Sequence, residues 1–325
     1  MKTLLSNIFV NIAFFVLLII SGCDQKDTQK DTQDAVYQKV AQLIVDADAI
    51  YIGAGAGMGV GSGLGTFRGT AAGVWPPLEK LGLKFQEMSN PDRFLDTDKY
   101  GPKLAWSFWQ WRYKAYTENE PHSGYSYLLN WTKNKQHPSF VFTSNIDGHF
   151  FRAGFKDVCE IHGTVKYLQC IRTDSTCPYY KKMWSPEKGL IEDLIVDPNT
   201  DKVTSPLPRC PGCGRVARPT VKMFEDWGIL TTLIDKQEQK FEAWKTKNKN
   251  LKIIAIEIGA GIAIRTVRDE SERVSREFSC TLIRINPENP EISNAAPDVE
   301  HISITDAKNA LQKIDEAVKK LTASK

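Results

Sequence analysis

Several features that mark other protein classes are absent from this sequence or scarce in it. The net charge is only +3 over 325 residues, which is too small to indicate nucleic-acid binding. No internal repeat has the period of a solenoid or a propeller, so repeat architectures are excluded. The chain contains only five histidines. The chain is 42% hydrophobic and 25% charged, as in ordinary globular proteins, and it is long enough for a large core.

The first part of the sequence has the pattern of an export leader. An apolar run over 8–20 is too short to span a bilayer comfortably, but it suits the apolar region of a signal peptide. Ser21-Gly22 before Cys23 resembles a bacterial lipobox, in which the cysteine is lipidated. We predict a lipoprotein-type signal over 1–23 and a polar tether over 24–34. The alternatives are a plain N-terminal anchor and a wrongly assigned start.

The rest of the chain alternates helical and strand patterns. A helical apolar face over 34–46 precedes a short buried strand over 49–52, which leads directly into a glycine-rich turn. This order predicts an α/β fold with a Rossmann-like, doubly wound parallel sheet. Further buried strands are predicted at 140–143, 158–161, 253–258 and 281–285. Aromatic residues between 75 and 131 indicate a helical insert, and an amphipathic helix is predicted over 307–321.

A small cysteine-bearing module interrupts this pattern. We predict that 35–166 and 220–325 form the Rossmann-like domain and that 167–219 form the module. Cys210 and Cys213 lie in a CxxC turn that contains Gly212, a spacing that directs both thiolates at one metal ion. Cys170 and Cys177 have a looser spacing that is still able to clamp an ion. In an oxidising compartment the same residues could form disulfides, so the residues alone leave both states open.

The glycine-rich turn is suggestive but unspecific by itself. Seven glycines lie between Gly53 and Gly65, and such residues let backbone amides approach a phosphate. No window matches G-x-G-x-x-G, so the ordinary dehydrogenase fingerprint is absent. The turn alone therefore favours a nucleotide ligand only slightly over a tight turn.

Ordered sequence blocks carry a more specific signal, because together they resemble the sirtuin family. The first block resembles the signature GAG(I/M)S-x-x-SG(I/L)PDFRG and consists of Gly55-Ala56-Gly57-Met58, Ser62-Gly63-Leu64 and Phe67-Arg68-Gly69. The later blocks resemble TQNID, HG(S/T) and the adenosine-contacting Asn, and they are Thr143-Ser144-Asn145-Ile146-Asp147, Ile161-His162-Gly163-Thr164 and Ile285-Asn286. The resemblance covers nearly everything from about Val36 onward.

The resemblance implies an NAD-dependent protein deacylase that releases nicotinamide and O-acyl-ADP-ribose. Asn145 and Asp147 would hold the ribose hydroxyls and the carboxamide, and His162 would act as general base on a ribose hydroxyl. The residues implied to contact NAD are Gly55, Ala56, Gly57, Thr66, Phe67, Arg68, Ser144, Asn145, Asp147, Gly259, Ala260 and Asn286. The family also carries zinc in its small domain, so one structural zinc is implied at Cys170, Cys177, Cys210 and Cys213.

Partners and location follow from the same observations. The implied partner is an acylated protein or peptide lysine, no nucleic acid is indicated, and a monomer is expected. Lipidation of Cys23 would attach the protein to the periplasmic face of a membrane. If the leader is not processed, the protein would instead be cytoplasmic. Cys159 and Cys280 lie in or beside apolar strands and are predicted to be inert core residues.

Departures from the family pattern keep other functions open. Gly65-Thr66 replaces Pro-Asp, Ser144 replaces Gln, Gly259-Ala260-Gly261 replaces GTS, and Glu225 stands where Gly is expected. These changes make an NAD hydrolase or a mono-ADP-ribosyltransferase an alternative. A non-catalytic NAD or ADP-ribose sensor is a third, which an intact His162 argues against. Asn145 and Asp147 could equally be turn residues that cap a strand. His162 could be an ordinary core or surface histidine, but its position after a buried strand and before Gly163 favours catalysis.

Overall fold

The computed structural model describes residues 32–65, 75–95, 97–98 and 100–323. The predicted leader and most of the predicted tether therefore lie outside the described residues, as do Thr66, Phe67 and Arg68. Among the helices of the described ranges, none is both long and apolar enough to span a bilayer.

Strands and helices alternate along the described residues. In chain order, the strands are β1 Ala49–Ala54, β2 Phe140–Thr143, β3 Val158–Glu160, β4 Gly163–Cys170, β5 Met183–Trp184, β6 Val196–Asp197, β7 Lys202–Val203, β8 Ala217–Val221, β9 Ile253–Ile258, β10 Leu282–Ile285 and β11 Ile302–Ile304. The helices are α1 at 32–46, α2 Pro77–Leu81, α3 Phe85–Met88, α4 Gly101–Glu118, α5 Ser123–Lys133, α6 His149–Arg152, α7 Thr232–Lys247, α8 Thr266–Phe278 and α9 Ala307–Ala323. Short 3-10 helices occupy Ala56–Ser62 and Pro91–Phe94.

The central sheet confirms the predicted doubly wound fold. Its six strands run in the order β11-β10-β9-β1-β2-β3, and every neighbouring pair is parallel. β1 and β9 are buried along their whole length, as apolar strands covered on both faces should be. The strand order reverses between β1 and β9, and in such sheets ligands bind outside the carboxyl ends of the strands at this switch point.

A buried ion pair ties the sheet to α8. Nε and Nη2 of Arg284 on β10 donate to the Glu257 carboxylate on β9, at 2.6 and 2.9 Å. Arg284 also contacts Glu272 of α8 at 3.0 Å. Since these side chains are almost completely buried, each charge depends on the others for compensation.

The segment between β3 and α7 forms small antiparallel sheets. β4 pairs with β5 and β8, and β6 pairs with β7. The predicted helical insert is present as α2 to α5, and α4 contacts this segment directly. The Trp106 indole of α4 donates to the Ala217 carbonyl of β8 at 2.9 Å. Aromatic side chains of α4 therefore fill the core beneath the module.

The chain divides into two compact units. One is 47–308, and the described parts of the other are 32–46 and 309–323. In the second unit, α1 buries Val40 and Ile44, and α9 buries Leu311 and Ile314. These spacings are those of amphipathic helices, as the sequence predicts.

Candidate functional site

The predicted ligand-binding residues follow the carboxyl ends of five neighbouring strands. The segments are Gly55 to Gly57 after β1, Ser144 to Asp147 after β2, His162 after β3, Gly259 and Ala260 after β9, and Asn286 after β10. Because the strands are parallel and adjacent, all five segments lie at one edge of the sheet. The structure therefore brings together every predicted NAD residue that it describes.

The glycines at the switch point are required by a close approach of two backbones. A Cβ on Gly57 would lie 2.6 Å from the Cα of Gly259, and one on Gly55 would lie 2.6 Å from the Cα of Ala260. The amides of Gly55 and Gly57 donate to the carbonyls of Ile258 and Gly259 at 2.9 and 3.0 Å. These two amides are thus bonded within the protein, which differs from the expectation that the glycine amides point at a phosphate.

Asn145 connects the β2 loop with the glycine-rich turn. Its side-chain amide donates to the Gly55 carbonyl at 3.0 Å, and its backbone amide donates to the Thr143 hydroxyl, also at 3.0 Å. The Thr143 hydroxyl in turn donates to the Ala54 carbonyl at 2.8 Å. Asn145 is buried, so its orientation is fixed by these bonds.

The loop after β9 is held through the carbonyl of Ala260. This oxygen accepts from the Asn286 side-chain amide at 2.8 Å and from Nε of Arg268 at 2.8 Å. Arg268 belongs to α8 and is buried. The sequence analysis did not identify Arg268, since a basic residue is usually solvated.

His162 is held as a neutral base. Burial and, to a smaller extent, the charge of Lys222 lower the pKa of His162 to about 4, although a hydrogen bond to the Ser144 carbonyl raises it. An imidazole that donates from one nitrogen keeps a lone pair on the other when neutral. His162 is therefore neutral at physiological pH and able to accept a proton.

Asp147 lies in a mostly buried, charged environment. Its carboxylate accepts the backbone amide of His149 at 2.8 Å. Burial raises the pKa of Asp147, whereas His149, Arg112 and Arg152 lower it. Burial is the largest of these effects, so the pKa of Asp147 is raised on balance.

His122 is a residue of the site that the sequence analysis missed. Its Nε2 lies 2.9 Å from the Met58 carbonyl, and its Nδ1 accepts the amide of Gly124 at 3.0 Å. Burial lowers the pKa of His122, in agreement with a neutral ring that donates from Nε2. The ring thus fixes the 3-10 helix after β1 against the start of α5. Its position beside the N-terminus of a helix was the available signal.

The segment after β8 has a buried anchor. Arg218 and Asp226 form an ion pair at 2.7 Å with both side chains buried. Asp226 also accepts the amides of Met223 and Gly228 at 3.2 and 3.0 Å. Between them, Glu225 has a φ of 57°, which explains why glycine suits this position. The neighbouring Trp227 is 97% exposed.

The predicted zinc ligands form one compact cluster. The sulfur atoms of Cys170, Cys177, Cys210 and Cys213 all lie within 4.8 Å of one another. Two sulfur pairs are 3.6 and 3.5 Å apart, close to the roughly 3.8 Å expected between thiolates around a tetrahedral zinc. A disulfide needs about 2.05 Å, and all four are free cysteines. The cluster therefore fits a closed structural zinc site.

The amides around the cluster support metal-bound thiolates. The amide of Arg172 donates to the Cys170 sulfur, and that of Tyr179 to the Cys177 sulfur, both at 3.3 Å. Outside the cluster, burial raises the pKa of Cys159 and Cys280 to about 12. These two residues are protonated thiols in the core.

Comparison with known proteins agrees with this arrangement. A profile of the Sir2 family matches residues 55–251. An NAD-dependent protein deacylase of Pyrococcus furiosus is 31% identical over 159 residues, which are 49% of this chain and 54% of that protein. One of Aquifex aeolicus is 25% identical over 236 residues, 71% of this chain and 80% of that protein.

Solved structures give the same fold. A mutant Sir2 homologue in complex with ADP-ribose matches with a TM-score of 0.62 at 20% identity, over 88% of this chain and 98% of that chain. The chain spans about half the length of the Pyrococcus furiosus relative.

Proposed function

Because this chain belongs to the Sir2 family, we propose that it is an NAD-dependent protein deacylase. It removes an acetyl or other acyl group from a protein lysine and releases nicotinamide and O-acyl-ADP-ribose. The observation that carries the proposal is the gathering of five predicted ligand-binding segments at the carboxyl edge of one sheet. The names of the relatives support the same activity.

When bound, NAD supplies the ADP-ribosyl group, whose bond to nicotinamide breaks and whose hydroxyl finally carries the acyl group. Gly55 to Gly57, Gly259, Ala260 and Asn286 would hold it at the switch point. The bond of Asn145 to Gly55 sets the orientation of its side-chain amide before NAD binds. The carboxyl oxygens of Asp147 can accept hydrogen bonds from donors such as an amide or a hydroxyl.

His162 supplies the base. Its neutral imidazole would accept a proton from a ribose hydroxyl of bound NAD and so act as general base. Its other ring nitrogen stays bonded to the Ser144 carbonyl. Burial of the ring also limits the access of water, which would compete with lysine-bound acyl groups.

The test is nicotinamide release from NAD by the purified chain, with and without an acetyl-lysine peptide. Wild-type protein should release nicotinamide only with the peptide and should yield free lysine. His162→Ala should reduce this rate by at least about 100-fold. His137→Ala is the matched control, because His137 lies in the loop after α5 and outside the site.

Other outcomes would redirect the assignment. Peptide-independent release would identify an NAD hydrolase or an ADP-ribosyltransferase. NAD binding without any release, unchanged in His162→Ala, would identify a sensor.

We further propose that lipidated Cys23 attaches the protein to the periplasmic face of a membrane and that the enzyme is a monomer. The apolar run over 8–20 and the lipobox-like Ser21-Gly22-Cys23 support the attachment. Labelled palmitate should enter the wild type but not Cys23→Ser in cells. Recovery of an uncleaved, unlabelled protein from the cytoplasm would contradict the attachment, and a dimer by light scattering would contradict the monomer.

A further inference from the structure

A cavity of about 450 Å³ is lined by residues of α7, α8 and the central sheet, and its volume is in the roughly 300–1,000 Å³ range of small-molecule sites. Phe142 of β2 and Phe241 of α7 are buried and give this α7–α8 cavity an apolar wall. Ile161, which directly precedes His162, completes that wall. None of the predicted NAD residues that the structure describes lines the cavity. It is therefore distinct from the candidate NAD site.

The other wall of the α7–α8 cavity is charged, with more acids than bases. Its members are two guanidinium groups and four carboxylates, those of Arg273, Arg276, Glu238, Glu242, Asp269 and Glu270. Two of the acids have cationic partners outside the lining, since Glu242 contacts Lys245 at 2.8 Å and Asp269 contacts Arg265 at 3.0 Å. Arg276 is exposed, so solvent screens its charge. Glu238 and Glu270 are the acids left to consider.

Glu270 is the buried acid of this wall, with only 8% of the residue exposed. Its Oε2 accepts a hydrogen bond from Nε of Arg273 at 2.9 Å. Its Oε1 has no hydrogen-bond partner among the described residues. The Lys245 ammonium is 3.9 Å from Oε1, beyond hydrogen-bond distance, and lies much closer to Glu242. Because a buried acceptor without a donor is costly, this oxygen favours a ligand that brings an N–H or O–H group.

The surroundings of Glu270 favour a cation over a neutral donor. The ring centroids of Phe142 and Phe241 are 5.4 Å apart, and the protein itself places the Lys245 ammonium 4.9 Å from the Phe241 centroid. Among the described residues, no lysine or arginine forms an ion pair with Glu238. Aromatic faces and carboxylates both attract an ammonium group. A ligand with one ammonium and an apolar body therefore matches both walls.

We propose that the α7–α8 cavity is a binding site for a small primary amine with an apolar body. The ammonium donates to Oε1 of Glu270 and is attracted by Glu238, while the apolar body packs on Phe142, Phe241 and Ile161. The inference goes beyond the deacylase reaction, because no residue of the proposed NAD site takes part in it.

The probe is 4-phenylbutylamine, and its matched control is 4-phenyl-1-butanol, whose hydroxyl donates a hydrogen bond but carries no charge. Calorimetric titration of the purified chain at neutral pH should show saturable binding of the amine, with a dissociation constant of about 1 mM or below. The alcohol should bind at least about tenfold more weakly. Equal binding of the two compounds would overturn the cationic class of ligand, and absence of amine binding would overturn the site.

Substitutions locate the bound amine. Glu270→Gln keeps the size of the side chain but removes its charge, and it should weaken amine binding at least about tenfold. Glu238 is exposed, so Glu238→Gln tests the contact without disturbing the core and should weaken binding about threefold. Glu187→Gln, an exposed acid outside the cavity, is the matched control and should bind the amine as the wild type does. Equal affinities in the three variants would overturn the site.

Competition with NAD distinguishes the two sites. Saturating NAD should leave the amine affinity of the wild type unchanged, because the predicted NAD residues do not line the α7–α8 cavity. Displacement of the amine by NAD would place it in the NAD site and overturn the proposal. Calorimetry requires no turnover, so these results stand even if the chain proves inactive and the deacylase proposal fails separately.

Discussion

Asn145 donates a hydrogen bond from its side-chain amide to the backbone carbonyl of Gly55, with 3.0 Å between nitrogen and oxygen. The bond joins the loops that follow two adjacent parallel strands, at the edge where the strand order reverses. Gly55 is itself packed against the backbone of Ala260. Asn145 therefore helps to shape the turn as well as to face the ligand.

Replacing Asn145 by alanine should weaken both the fold and the site. The Gly55 carbonyl keeps the amide of Met58 as a donor at 3.0 Å, so the loss should be that of one hydrogen bond, about 1 kcal/mol. Urea unfolding measures it, and NAD titration should show weaker binding. Asn134→Ala, at the exposed end of α5, is the control. Unchanged stability and NAD affinity in Asn145→Ala would mean that the bond has no role.

The cysteine cluster should depend on each of its ligands. Cys213→Ser should reduce bound zinc, measured by atomic emission, from about one ion per chain to well below it, and it should lower the melting temperature. Cys280→Ala is the control, because this buried thiol lies outside the cluster and should leave the zinc content unchanged. Equal zinc in both variants would contradict the assignment of Cys213 as a ligand.

Glu225 should be a site of backbone strain. Its φ of 57° costs a residue with a side chain about 1 kcal/mol that glycine avoids. Glu225→Gly and Glu225→Ala both lose the hydrogen bond from Asn90 to the Glu225 carboxylate, so their difference isolates the conformational effect. The Gly variant should be about 1 kcal/mol more stable than the Ala variant in urea. The opposite order would show that the segment relaxes from this conformation.

The sequence pattern predicted the elements whose buried side chains are apolar. The strands at 140–143 and 253–258 are continuous apolar runs, and the structure contains both. α8 was missed because its buried face includes Arg268, Glu272 and Ser275, whose partners come from distant segments. β11 was missed because it has only three residues, and its central serine is exposed.

The site was predictable in composition but not in its internal contacts. Motif order identified the loops at the sheet edge, since each follows a recognisable strand. The close packing of Gly57 on Gly259 is a tertiary relationship, which no local pattern contains.

The low basicity of His162 should appear in the pH dependence of stability. Its native pKa is about 4 against 6.5 for the free group, so the unfolded chain binds more protons between these values. Stability should therefore rise with pH from 4 to 6.5, by about 3 kcal/mol from this residue. His162→Gln removes the titration, and its unfolding free energy, measured in urea, should lack this part of the slope.

His137→Gln should keep the wild-type slope, because His137 lies outside the site. Activity should follow the same titration. The acidic limb of nicotinamide release should lie nearer pH 4 than 6.5, since the imidazole remains a free base down to its native pKa. The contrary result has two parts: an acidic limb of nicotinamide release near pH 6.5, and equal slopes of unfolding free energy against pH in His162→Gln and His137→Gln. Together they would show that His162 titrates as a solvated residue and that burial does not lower its pKa.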